Sequence, residues 1–421
     1  MNPPAANPRF HSLDALRAFA LLLGIFFHAA ESFCPGRWTW AIVDRYPHAV
    51  FDFFQHTCHS FRLELFFLIA GFFAHLVYAR RGLGGFVRQR VQRILIPLVV
   101  GWFVVYPIIA YEWIYGALQS GQSAVVKIPA EVQHLAPWQL LLGSVVTGKA
   151  FGDNFSLTHL WFLYQLLVVY AVVLGARAVV SWIDRGGGLR RRLVRLFPLT
   201  LRPPWNVAFY AAATTPILWG MAGWGVDTPD RSLLPSLPAT AFYALIFTVG
   251  WLLYRTPELI ESWPTTWGRY LLAGIALAFA TASYRTLSHW LRLGTVGESG
   301  SKLIYSALYA TMMWTFIVGF VGLFAQRCRA ESGWWRYVAD SSYWLYIAHA
   351  PLVVALQLIV APWDVHWLWK YLLIVGVAFP VLFASYHFLV RSTFIGAQLN
   401  GRRYPFRLRP DRGPRVPGGG G

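Results

Sequence analysis

The sequence predicts an all-α polytopic membrane protein, a bundle of about ten transmembrane helices with both termini cytoplasmic. Three observations lead there. Of the 421 residues 57% are hydrophobic and only 13% charged, and the mean hydropathy is +0.47, well outside the range of soluble domains. Apolar stretches of about 20 residues, the length of one bilayer crossing, recur along the chain. Basic residues gather between them in alternate segments. The formal charge of +18 could suggest nucleic acid, but no polar domain carries it, and topology explains it better. The 21 Trp, 20 Tyr and 31 Phe suit interfacial belts and lipid-facing surfaces.

The predicted spans lie near residues 12–34, 58–79, 94–115, 157–182, 205–225, 237–254, 269–288, 302–325, 341–360 and 368–390. Pro97 opens the third, Pro203 and Pro204 precede the fifth, and Pro362 follows the ninth. The first span holds ionisable residues and lacks a small-x-small cleavage site, so it reads as a retained helix rather than a signal peptide. With a cytoplasmic N-terminus, the inside segments carry Arg9, the Arg80–Arg93 group, the Arg185–Arg202 group, Arg255, Arg269, Arg327, Arg329, Arg336 and a basic tail. Together these are 24 of the 36 basic residues. An odd number of crossings would put the dense arginine clusters on opposite faces.

The external segment 116–156 is the longest loop, and its Pro137 starts a short interfacial helix around 137–147. Residues 1–395 make the transmembrane domain. Residues 396–421 read as a basic, disordered cytoplasmic tail attracted to anionic lipid. Three cysteines are too few for a disulfide framework or a thiolate metal site; Cys34 and Cys58 share the first external loop and either pair or stay free. No repeat of the kind found in inverted-repeat transporters is visible.

The first span, "LDALRAFALLLGIFFH", retains polar residues. At about 100° per residue Arg17 and His28 lie within about 20° of each other, with Asp14 and Glu31 within about 60° on either side. Gly24 shares the stripe, so a ligand or a neighbouring helix can approach the backbone there. Two readings stand. Asp14 pairs with Arg17 and His28 bonds a neighbouring helix, or the stripe marks a pathway or site, as intramembrane ionisable residues usually do. In the second span Glu64 and His75 are again eleven apart, with Gly71 between them, either a structural polar pair or part of a site. Arg90 and Arg93, one turn apart at the cytoplasmic entrance to the third helix, either anchor the helix or grip a phosphate in fork geometry. His159 and Trp161 stand at the outer interface, and His349 shares a face with Ser342. Four histidines on four helices point to an internal polar chamber. "HTCH" sets His56, Cys58 and His59 together without a second ligand cluster, so no metal is expected. There is no G-x-S-x-G elbow, P-loop or H-E-x-x-H.

These blocks fall in an order that resembles the acyltransferase family 3 of membrane O-acyltransferases, most nearly its glucans biosynthesis protein C branch. "RFHSLDALRAFALLLGIFFH" holds the family's Arg-x10-His as Arg17 and His28. "ELFFLIAGFF", "RVQRILIP" with its Arg-x-x-Arg, "HLWFL" and "SSYWLYIAHAPLV" follow, from residue 9 to about 356. Where many relatives have Ser-Gly, this chain has Ala70-Gly71, so no hydroxyl role carries over.

The resemblance implies an integral inner-membrane enzyme of bacteria. It would move an acyl group, succinyl or acetyl, from cytoplasmic acyl-CoA to a hydroxyl of a periplasmic or surface glucan or other saccharide. By that resemblance Arg90 and Arg93 hold the donor's phosphates, Arg17 contacts it nearer the thioester, and His28 is catalytic. Glu31 would orient His28 and Asp14 would position Arg17, while Glu64, His159, Trp161 and His349 would face the acceptor. A neutral imidazole, with an ordinary pKa near 6.5, suits removal of a hydroxyl proton, and acylation of the imidazole itself is the alternative. The competing function is a transporter or flippase that uses the stripe as a relay. The expected partners are acyl-CoA, a carbohydrate and lipid, with no nucleic acid; oligomeric state is left open.

Overall fold

The structure, a computed structural model, describes residues 10–36, 40–120, 126, 128–203, 205–261, 266–291, 297–401 and 403–405. Among them every regular element is helical: α1 His11–Ala30, α2 Ala49–His59, α3 Arg62–Arg90, α4 Ile96–Ser120, α5 Pro137–Val146, α6 Trp161–Ile183, α7 Gly188–Thr200, α8 Trp205–Trp219, α9 Leu237–Leu253, α10 Glu258–Glu261, α11 Trp267–Leu291, α12 Gly297–Arg327, α13 Gly333–Val360, α14 Trp367–Ser385 and α15 Phe394–Asn400. Each of the ten predicted spans coincides with a helix. Among the described residues seven helical runs are long and apolar enough to cross a bilayer, one of them the continuous stretch from Ala49 to Ser120, and α9 is a shorter apolar helix. This is a multi-pass membrane protein.

Local chemistry sets several boundaries. Ser236 caps α9 by accepting the Ala239 N–H, with Pro238 in the first turn, and Ser332 caps α13 by accepting the Trp335 N–H. Gly82 at φ 65 breaks α3, and a π turn over Val91–Leu95 carries the chain directly into α4. The expected interfacial helix is α5, where Gln139 accepts the Ala136 N–H at 2.8 Å.

Other boundaries differ from expectation. α1 stops at Ala30 and a 3-10 turn covers Glu31–Phe33. The second span is longer than expected, with α2 ahead of it as a separate helix. α8 stops at Trp219 rather than near 225. The arginine-rich segment 188–200 is helical, with Leu189, Leu193 and Leu196 exposed along one side, the pattern of an interfacial helix. α15 crosses the expected boundary at 396, and residues 406–421 of the expected tail lie outside the described residues. Cys34 and Cys58 are both buried and are not joined in a disulfide.

α1 stands at the centre, packed against α3, α12, α13 and α14, while α9 covers the other side of α3 and α8 and α11 flank α12. Small residues allow the closest crossings. A Cβ on Gly71 would lie 2.0 Å from the Phe247 carbonyl oxygen, and one on Gly250 would lie 1.8 Å from that of Leu68. Gly71 therefore serves the α3–α9 crossing. His75, one turn further along α3, donates from Nδ1 to the Trp251 carbonyl at 2.7 Å and stacks on the Trp251 ring. It is a satisfied packing residue. Val99, Val100, Phe103 and Val104 of α4, and Trp369 and Leu372 of α14, turn outward as a lipid-facing surface.

Candidate active site

A cavity of about 2500 Å³ opens into the bundle. Its α1 wall is made by Ala20, Leu21, Gly24, Phe27 and His28, the spacing of one helical face, with Glu31 of the following 3-10 turn beside them. Further lining residues come from the loops and helix ends within 35–59, 126–156, 224–231 and 285–301. These are the segments that the ten expected crossings would assign to the outer side.

His28 and Glu31 are brought together, with His28 Nδ1 3.8 Å from Glu31 Oε1. The His28 ring stacks on Trp40 at 5.8 Å and 16°. It lies 5.1 Å from the His349 ring, which in turn lies 5.1 Å from the His159 ring. Three of the four singled-out histidines therefore meet, and all three line the cavity. His349, 2% exposed, donates from Nδ1 to the Tyr346 carbonyl at 2.7 Å. A carbonyl can only accept, so the neutral ring keeps its lone pair on Nε2, which has no hydrogen-bond partner. His159 is turned the other way: Nε2 donates to the Ile347 carbonyl at 3.1 Å and Nδ1 is left unpartnered. Trp161 lines the same space. At the outer rim, burial raises the carboxyl of Asp230 above the ordinary carboxylate range although Ser156 donates to it.

The other predicted residues stand elsewhere. Arg17 pairs with Asp14 at 3.4 Å and extends over the Phe73 ring, and neither residue lines the cavity. The cavity's α1 lining stops at Ala20, three residues from Arg17. Arg90 lies against the rings of Phe86 and Tyr170 at 4.7 and 4.9 Å, with Nε buried and unpartnered. Arg93 follows in the π turn, its carbonyl accepting from Tyr343 at 2.7 Å, and its charge interacts with Arg17, Arg81 and Arg90. A Cβ on Gly401, at φ 72, would overlap the Arg93 guanidinium, so a glycine in that position lets the arginine lie against the chain. Glu64 is fully buried, does not line the cavity, and has neither carboxylate oxygen hydrogen-bonded. Ser342 donates back to the Ala339 carbonyl within its own helix. Among the described residues no group of three or more His, Cys, Asp and Glu side chains is placed to hold a metal ion; His56 instead meets Thr281 at 2.8 Å.

A family model described as an acyltransferase domain matches residues 10–387, from the start of α1 to the end of the bundle. The chain belongs to acyltransferase family 3. Proteins named glucans biosynthesis protein C from Escherichia coli O1:K1 and O157:H7 are 29% identical to it over 171 residues, 40% of this chain. The match spans 39% of the length of those relatives. No solved structure matches.

Three residues at this site were not singled out by sequence. Gln357, fully buried on α13, donates to the carbonyls of His28 and Ala29 at 2.8 and 3.2 Å and accepts the Trp40 indole N–H at 2.8 Å. It thus ties the outer end of α1 to the ring that stacks on His28. Trp40 is the second residue. The third is Arg62, the first residue of α3, whose guanidinium lies over the Phe27 ring at 4.4 Å. It also fills the space that Gly24 leaves on the polar stripe.

Proposed function

We propose that this protein is an inner-membrane O-acyltransferase. It moves a succinyl or acetyl group from cytoplasmic acyl-CoA to a hydroxyl of a periplasmic or surface glucan or related saccharide. The observation that carries the reading is the arrangement along α1. His28 lies on the wall of a large cavity whose mouth is built from the expected outer loops, and Arg17, with Arg90 and Arg93 near it, lies about 16 Å away along the same helix. Family membership supports acyl transfer, and the name of the E. coli relatives supports a glucan acceptor.

In this reading the arginines hold the donor's phosphates, and the extended pantetheine arm threads along α1 towards His28. The acceptor enters from the mouth. His28 takes the proton of the attacking hydroxyl and Glu31 orients the imidazole and stabilises its charged form. His349 and His159 offer further acceptor nitrogens to the sugar at the same wall. Asp14 steadies Arg17. Glu64 is set behind the cavity wall and does not face the acceptor.

Mass spectrometry of envelope glycans from cells with and without the protein tests the reading. Loss of an acyl modification from a glucan is expected, and identical acylation overturns it. His28→Ala should insert and fold as wild type yet give no acylated product. Retained acyl transfer refutes the role of His28, and acyl-CoA-independent movement of an unmodified saccharide would establish a transporter instead.

A further inference from the structure

Arg62 is an expensive residue to keep where it is. Its Nε is buried with no hydrogen-bond partner, and among the described residues its guanidinium enters no ion pair. Glu31 and Glu64 act on it electrostatically, without forming such a pair. It is also the first residue of α3, the end of a helix whose dipole disfavours a cation. A guanidinium so placed calls for an anion, and the cavity that Arg62 lines gives an anion a way in.

Its position says which anion. A Cβ on Gly24 would lie 2.6 Å from Arg62 Nη1, so the guanidinium touches α1 one turn before His28, an axial offset of about 6 Å. Phe27 holds the guanidinium plane from below, and its ring is 5.2 Å from that of His28. A base and an oxyanion donor that act on one tetrahedral carbon each stand about 3 Å from an oxygen bonded to it, so they must be near neighbours, as side chains held against adjacent turns of one helix face are.

Resting on the acyl-transfer reading above, we propose that Arg62 is a catalytic residue that holds the oxyanion formed from the thioester carbonyl. The acceptor oxygen bonds to the carbonyl carbon as His28 takes the hydroxyl proton, and the carbonyl π electrons move onto the oxygen that Arg62 holds. Those electrons then re-form the carbonyl and break the C–S bond. The coenzyme A thiolate leaves and takes the proton from His28. All atoms and charges are returned, and Arg62 exchanges no proton. It is placed for a charge that exists mainly in the transition state, and Phe27 and Gly24 fix it before substrate arrives.

The test uses full-length protein in nanodiscs, with initial rates from acetyl-CoA and from succinyl-CoA to a glucan acceptor, and thermal unfolding as a control of folding. Arg62→Ala should lower kcat by about 10²–10³-fold with both donors and leave KM for the donor nearly unchanged. Arg62→Lys should recover part of the loss. Gly24→Ala keeps the arginine and pushes its tip aside, and should also lower kcat; it carries the test should Arg62→Ala fail to fold. An active wild type with an equally active Arg62→Ala overturns this proposal alone. A loss confined to succinyl-CoA overturns it too, and puts the guanidinium on the acyl carboxylate. A wild type that transfers neither group overturns the acyltransferase reading, and this proposal with it.

Discussion

Gln357→Met removes three hydrogen bonds at nearly constant volume. The Gln357 amide nitrogen donates to the carbonyls of His28 and Ala29, and its oxygen accepts from Trp40 Nε1. At about 1 kcal/mol net for each bond, with the Trp40 N–H left without its acceptor, the cost is about 2–3 kcal/mol. The helix carbonyl of His28 also accepts the Glu31 N–H, so α1 itself should persist. What is lost is the tie between the end of α1 and the ring on which His28 stacks. A displacement of about 1 Å at a reacting group can cost about 10²-fold, so kcat should fall by about 10–100-fold with little change in KM for the donor. The assay is transfer of a radiolabelled acyl group to glucan, with unfolding temperature measured in parallel. Gln357→Glu sharpens the test, because a carboxylate can still accept from Trp40 but would face two carbonyl oxygens. Trp40→Phe, which keeps the stack and removes the N–H, should show coupling to Gln357→Met in a double-mutant cycle. Wild-type kcat in Gln357→Met, or in Gln357→Glu, would refute the positioning argument.

Two further predictions concern what holds the site in place. Gly71→Ala puts a methyl group into the Phe247 backbone, where no side chain can move aside, so α3 and α9 must part; a loss of about 1–3 kcal/mol or more is expected in thermal unfolding, and an unchanged midpoint would show that the crossing is looser than described. Lys370, 1% exposed, places Nζ 3.0 and 3.1 Å from the two oxygens of the buried Asp44 and 3.0 Å from the Ala361 carbonyl. Lys370→Met should cost about 3–5 kcal/mol by stranding that carboxylate, and adding Asp44→Leu should restore most of it; a double variant no better than the single one would refute the ion pair as the cause.

What could be read from sequence was what one helix decides by itself. The spacing of Gly24 and His28 on one face of α1, with Glu31 one turn on in the 3-10 turn that continues it, needs little beyond 3.6 residues per turn, and all three line the cavity. The histidine chamber was legible as a tendency and not as a membership list. His349 and His159 meet His28, whereas His75 is taken by the Trp251 carbonyl at a helix crossing that nothing local announces. Arg62 resembles any interfacial cation in the sequence, and Gln357 any polar residue on a long helix. Their roles come from partners at Gly24 and at Trp40, far away in the chain. The helix α2 escaped because eleven residues fall below the length of a crossing, yet its Gln55, His56 and His59 line the site.

The cavity and the arginine cluster are separate spaces, and the reaction proposed here requires that. A donor confined to the cytoplasm and an acceptor outside must meet at one carbon, but a passage open throughout would also let ions and water cross. Along α1 the separation is short. Cavity lining ends at Ala20, Arg17 is the next polar position inward, and the axial rise between them is about 4.5 Å. On α1 the residues between them are Ala18, fully buried, and Phe19, packed on Phe320 and Phe324, and Phe73 lies under the Arg17 guanidinium. A barrier of this thickness is about one helical turn. A slender thioester arm could cross it with its phosphates still on Arg90 and Arg93, whereas a saccharide is too broad to pass. On this argument the direction of transfer is set by the width of the seal, and the acyl group is the part of either substrate that crosses.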